Sequence, residues 1–437
     1  MKIPRIFISL FKDPEMMWIN FKNITDLVKA PISSALIVMF LSLDEQGVWY
    51  TFFSLSAVKT LFDLGFSKII LFAIANERKD TKTEDNQLVK QYTMSAKLSS
   101  LVSQSLIFFI FLSIVYLLVL QFLGYRIFSG KMYYYWQIYS IGTSLIFLGS
   151  GISSIYMGMN FVKTAQKTLF ISSIFQTLVT WIFLINKSGI LSLGVGYFIS
   201  GLLLIILLVT NKYSFIKRAF MKRDVSYNIF KDLYKFQLKY ILSWISGYAI
   251  TNLLIIFMFK FVDSTLAGRY GLTFTIIASV INLSNVPISA KIPTIAQNFG
   301  NNNFRDGISN CIIVAKNKYF LLVGAMIAIV LFFSTINYFN LYTERFLGII
   351  PIVLITLSYL AYDFVGMISM FVRSFMDEPF YKINIVFALI CICLLPTLLS
   401  YGITIYLVLR TIAFYFFFLP LSCKVAIKKY SLVKQSV

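Results

Sequence analysis

Residues 57–68 read "AVKTLFDLGFSK" and place Lys59, Asp63 and Lys68 inside an apolar run from Val48 to Ala75. A charged group near the centre of a bilayer costs about 2.5–3.5 kcal/mol on insertion scales, unless it meets water or a partner. Lys59 and Asp63 are spaced i, i+4 and so project from one face of a helix. Two readings follow. Either they form a self-neutralising pair that locks two helices together, or Lys59 lines a wet chamber with Asp63 holding it in orientation. Lys68 lies nine residues beyond Lys59, on the opposite face unless the helix bends at Gly65. It is close enough to the cytoplasmic boundary for its stem to carry the charge out to water.

Four further charges fall in or beside apolar runs. Lys29 stands two residues before Pro31, where it either snorkels or serves an inner mouth. Arg410, in "GITIYLVLRTIAFYFFFLP", has no acid nearby in sequence, and Asp363, in "VLITLSYLAYDFVGMISMF", has no base. Pairing Asp363 with Arg410 is the simplest structural reading. Otherwise Arg410 faces a substrate and Asp363 is a candidate proton or sodium site. Arg269 either guards an outer mouth or anchors the interface. Cations outnumber anions at depth, which is the bias needed to take phosphate oxygens out of water.

These residues need helices that cross a bilayer. The chain has 437 residues, 58% of them hydrophobic and only 13% charged, with a mean hydropathy of +0.80. A soluble chain carries about a quarter charged residues. Stretches such as "LIFFIFLSIVYLLVL" do not alternate as barrel strands would. An all-α polytopic membrane protein is therefore expected, with about twelve spans: 24–43, 47–75, 98–123, 134–158, 165–186, 189–210, 238–260, 265–293, 319–338, 346–372, 380–399 and 403–423. With the N-terminus inside, 29 of the 39 lysines and arginines fall in inner segments and 6 in outer ones. Lys29, Lys59, Lys68 and Arg410 stay in spans. This bias puts both termini in the cytoplasm. It also explains the net charge of +21 without nucleic acid, since no basic, aromatic-interleaved soluble segment is long enough to be a nucleic-acid module.

The longest polar connection, 211–237, divides the chain into lobes 1–210 and 238–437. "GVWYTFFSLSAVKTLFDLGFSKIILFAIA" (47–75) and "GRYGLTFTIIASVINLSNVPISAKIPTIA" (268–296) align without gaps at an offset of 221, pairing Gly47 with Gly268 and Ala75 with Ala296. Two repeated six-helix lobes around a central cavity are the expected plan. Pro31 and Pro287 are candidate bends for alternating access. The four cysteines lack metal or disulfide spacing and histidine is absent, so no cofactor or metal is expected.

"LDEQGVWYTFFSLSAVKTLFDLGF" (43–66), with Glu45, Gly47, Tyr50 and Asp63-Leu64-Gly65, resembles the region joining spans one and two of polysaccharide flippases. "AGRYGLTFTIIASVINLSNVPISAKIPTIA" is similar to that family's eighth span. The resemblance is to the O-antigen and capsule repeat-unit branch of the superfamily that also holds multidrug exporters. It implies a V-shaped pair of lobes and transport of undecaprenyl-diphosphate-linked oligosaccharide across the bacterial inner membrane. It implies contact with membrane lipids and with polysaccharide assembly proteins as well. No site residue is carried over from the resemblance.

Two other functions compete. An ion-coupled exporter of small cations needs an acidic cavity. A membrane polysaccharide polymerase or ligase needs a large outer loop with catalytic groups, and every outer loop expected here is short. No GxxxxGK[ST] phosphate loop is present, which argues against direct ATP use.

Overall fold

A computed structural model describes residues 14–63, 65–77, 95–221, 230–285, 304–340, 342–373 and 378–435. All regular structure among them is helical. The helices are α1 (Pro14–Phe40), α2 (Leu43–Ser56), α3 (Lys59–Asp63), α4 (Phe66–Glu77), α5 (Ala96–Ile127), α6 (Gly130–Gly158), α7 (Val162–Ile185) and α8 (Leu191–Asn211). After them come α9 (Tyr213–Met221), α10 (Phe230–Thr251), α11 (Leu253–Phe261), α12 (Ser264–Ser284), α13 (Phe304–Tyr338), α14 (Ile349–Arg373), α15 (Tyr381–Ala413) and α16 (Leu419–Gln435).

The protein is an all-α polytopic membrane protein. Among the described residues seven helices are long and apolar enough to cross a membrane, or eight when the pair α10 and α11, bent by 43°, counts as one span. The other expected spans are shortened or interrupted. The apolar part of α1 covers only Val28–Phe40. The second expected span is broken into α2, α3 and α4. The eighth is described only as far as Asn285, so Pro287, Pro293 and the repeat's closing Ala296 lie outside the described residues, as does part of the 211–237 linker. The eleventh and twelfth run together in α15, where Gly402 adopts φ 79° and interrupts the helix between them.

The chain forms two compact units, Met1–Leu36 with Leu55–Leu238, and Ile37–Ser54 with Lys239–Val437. In the first, Leu101, Phe109, Ile152, Tyr156 and Leu208 lie in a core shared by α5, α6 and α8. Tyr156 donates its hydroxyl to the Leu208 carbonyl at 2.7 Å, and Ser172 and Ser200 join α7 to α8 through their hydroxyls at 2.8 Å. Such small hydroxyl residues let membrane helices approach closely.

The second unit includes residues 37–54, which the midpoint division assigns to the first lobe. The physical reason is local. Ser42 and Glu45 form a reciprocal capping box at the start of α2, with Ser42 N donating to Glu45 Oε2 at 2.9 Å and Glu45 N to Ser42 Oγ at 3.1 Å. The capped end packs on α12 where Gly47 meets the Ser264 carbonyl so closely that a β-carbon would sit 2.0 Å from its oxygen. A β-carbon on Gly268 would sit 2.7 Å from Gly47 N. The two glycines paired by the sequence repeat thus touch. Arg345 donates to the Leu41 carbonyl at 2.7 Å, Gln46 Nε2 to the Arg345 carbonyl at 3.1 Å, and Tyr248 to the Ser54 carbonyl at 3.1 Å.

Candidate functional site

The interrupted second span carries the opening trio of charges. α2 stops at Ser56, and the chain continues through tight bonds from Val58 N to Leu55 O at 3.2 Å and from Thr60 N to Ala57 O at 3.1 Å. A stop inside a membrane leaves backbone groups that need partners. Tyr116 of α5 donates to the Ser56 carbonyl at 2.7 Å, and Tyr139 of α6 pairs with Ser56 Oγ at 2.8 Å. Both tyrosines are fully buried. The interruption is therefore built into the first unit, and Lys59 begins the short helix that follows it.

A second interruption follows at Asp63. Gly65 has φ 81°, a left-handed conformation that favours glycine. Asp63 Oδ1 accepts a short hydrogen bond from Ser67 Oγ and another from Ser67 N at 3.3 Å. The carboxylate thus holds the first turn of α4, and its charge suits the positive end of that helix.

Asp63 does not close an ion pair with Lys59. Among the described residues Lys59 makes no salt bridge within 4 Å; Asp63 and Lys22 act on it only through longer-range attraction and repulsion. Lys59 is exposed, yet it is set among enough protein to lose part of its hydration. Lys59 and Asp63 share the single turn of α3 at the expected i, i+4 spacing, but Asp63 turns toward Ser67 beyond the end of that turn, so the expected self-neutralising pair is not formed in this structure.

The remaining cations of the first unit behave differently. Lys29 Nζ donates to Ser173 Oγ of α7 at 2.5 Å, and Trp181 donates to Ser33 at 2.9 Å, so α1 is tied to α7 by polar contacts. Lys68 is exposed on α4. Lys22, expected only in the lead-in to the first span, lies close enough to Lys59 to repel it.

In the second unit Arg410 is 1% exposed. Its guanidinium donates to the Tyr270 hydroxyl at 3.2 Å, the Ile250 carbonyl at 3.1 Å and the Tyr359 hydroxyl at 3.5 Å. It also lies over the rings of Tyr359 and Phe414, at 5.4 and 5.5 Å from their centroids. In this structure these groups enclose the guanidinium. Its expected partner Asp363 pairs instead with Lys318 of α13, Nζ to Oδ2 at 2.5 Å. A span starting at 319 leaves Lys318 just outside it, but α13 is continuous from Phe304, and on it Lys318 is buried while Lys316, two residues away, is exposed. Arg269 is half-buried on α12, within electrostatic reach of Asp263, and its Nε has no hydrogen-bond partner among the described residues.

Sequence reasoning missed Lys318 and the Ser56–Tyr116–Tyr139 contacts. Lys318 had one visible signal: Val314 lies one turn before it, so the apolar face of α13 passes through the lysine. The tyrosine contacts left none, because they join residues 60 and 83 positions apart.

No family model matches the chain, and no curated protein matches it in sequence. Its fold is similar to solved membrane proteins. A MATE protein in the straight conformation superposes with a TM-score of 0.59 at 15% identity, covering 98% of each chain. A multidrug resistance MATE family transporter of the MOP superfamily, inward-facing, gives 0.58 at 16% identity over 92% of this chain and 99% of the other. The lipid II flippase MurJ, in an inward closed conformation, gives 0.62 at 15% identity over 95% of this chain and 87% of MurJ. The chain therefore has the fold that MATE transporters and this lipid II flippase share.

Proposed function

We propose that the chain is a transporter of that superfamily, and specifically a flippase that carries undecaprenyl-diphosphate-linked oligosaccharide repeat units across the bacterial inner membrane. The observation that carries this reading is Lys59: an accessible cation at an interruption deep in an apolar span, beside Lys22, with its nearest carboxylate engaged by Ser67. A lysine in that position supplies three donors and a positive charge to phosphate oxygens that leave water. Lys29, Lys68 and Arg269 are secondary candidates for the same cargo, while Arg410 serves the interior of the second unit.

The two deep acids argue against a cationic cargo. Asp63 holds α4 and Asp363 holds Lys318, so neither is left to balance a drug's charge. Both termini are proposed to be cytoplasmic, with lobes 1–210 and 238–437 acting in alternating access. A potential negative inside favours outward movement of an anion by about 2.3 kcal/mol per charge per 100 mV.

The test is reconstitution of the purified protein in liposomes with a fluorescent undecaprenyl-diphosphate glycan, and separately with a cationic dye. The reading expects protein-dependent movement of the glycan lipid and none of the dye. Movement of the dye alone would establish the exporter instead.

A further inference from the structure

Val314 and Lys318 stand one turn apart on α13, as do Ala315 and Tyr319, and this face meets Asp363, Phe364 and Met367 of α14. Val314, Met367, Ala315, Tyr319 and Phe364 form one apolar cluster. At its edge Lys318, 0% exposed, and Asp363, 8% exposed, make their ion pair at 2.5 Å. Tyr319 donates its hydroxyl to the same carboxylate oxygen at 3.1 Å, and the Lys318 ammonium lies 5.5 Å from the centre of the Tyr319 ring.

A carboxylate buried in a membrane span must find a cation or a proton, because an unpaired buried charge is too costly to keep. Sodium is one ion such a site would take, and it is what Asp363 alone suggests. In this chain the position against Oδ2 is already filled by a covalently attached ammonium. We propose that Lys318 is a tethered counter-cation that closes the Asp363 carboxylate to free sodium, making Lys318 the residue that sets cation selectivity in the second unit. Removal of the ammonium leaves the carboxylate, with the Tyr319 phenol bonded to the same oxygen, and carboxylate oxygen suits a small hard cation. The inference concerns a site separate from Lys59 and holds whatever the cargo is.

The experiment measures the thermal unfolding midpoint of the purified full-length protein in detergent, with sodium chloride exchanged for choline chloride at constant ionic strength. The wild type should show the same midpoint in both salts. Lys318→Ala should unfold at a lower temperature in choline, and sodium should raise its midpoint by several degrees through mass action on the folded state. Lys318→Ala combined with Asp363→Asn should lose that response. A wild-type midpoint that rises specifically with sodium, and stops doing so in Asp363→Asn, would overturn the proposal. So would a folded Lys318→Ala protein indifferent to sodium. Should Lys318→Ala not fold, Lys318→Gln is read by the same criteria, and the wild-type comparison with Asp363→Asn still decides.

Discussion

Asp63 holds the first turn of α4 through Ser67, so a neutral side chain that still accepts hydrogen bonds should serve in its place. Asp63→Asn is predicted to fold and to transport at close to the wild-type rate, since asparagine caps helices about as well as aspartate. Asp63→Ala should lose about 1 kcal/mol of stability, measured as a lower midpoint in thermal unfolding. A folded Asp63→Asn protein without transport would show that the carboxylate acts through its charge or its proton. At this scale the sequence identified which charges lie at depth but not what each one meets. Lys59 and Asp63 were visible as a pair because their spacing is that of a helix turn. What draws their side chains apart is the break just after Asp63, at the left-handed Gly65, which brings Ser67 to the carboxylate. Arg410 and Asp363 each needed a partner from a distant helix, and nothing local distinguishes Lys318 from Arg410 as the partner of Asp363.

The interruption between α2 and α3 is an element-scale device, held by two buried phenols from α5 and α6. Tyr116→Phe removes the buried bond to the Ser56 carbonyl, a loss of about 0.5–1.5 kcal/mol. Tyr139→Phe acts on the neighbouring Ser56 hydroxyl, so the double variant should fall short of the sum of the single ones. Thermal unfolding of the three variants checks this, and additive losses would mean that the two phenols act independently. The helices themselves were largely legible, because a span needs about 20 apolar residues and the chain supplies them in clear runs. The interruptions were less legible. "SLSAVKT" contains no proline and no glycine, and its break is enforced by partners rather than by local propensity. Gly47 and Gly268 are the opposite case: an offset repeat in the sequence pairs them, and in the second unit they lie against each other.

Across the whole molecule the distribution of lysine and arginine predicts which segments face the cytoplasm. With Cys311, Cys391, Cys393 and Cys423 replaced by serine, Lys131→Cys should react with an impermeant maleimide added outside cells. Lys429→Cys should react only after the membrane is opened, and the reverse pattern would invert the topology. The fold class was readable from composition and run length, and similarity in fold to MATE and MurJ structures agrees with it. The cargo is not readable at this scale, because one fold serves several chemistries. It rests on the charge at position 59. The most direct measurement is therefore the rate of glycan-lipid movement in proteoliposomes containing wild type, Lys59→Arg or Lys59→Gln, with folding checked by thermal unfolding. Losing a charge-assisted bond of about 1.5–3 kcal/mol predicts that Lys59→Gln slows movement by about tenfold or more, while Lys59→Arg stays within a few-fold of wild type. A well-folded Lys59→Gln protein that moves the glycan lipid at the wild-type rate would contradict the account.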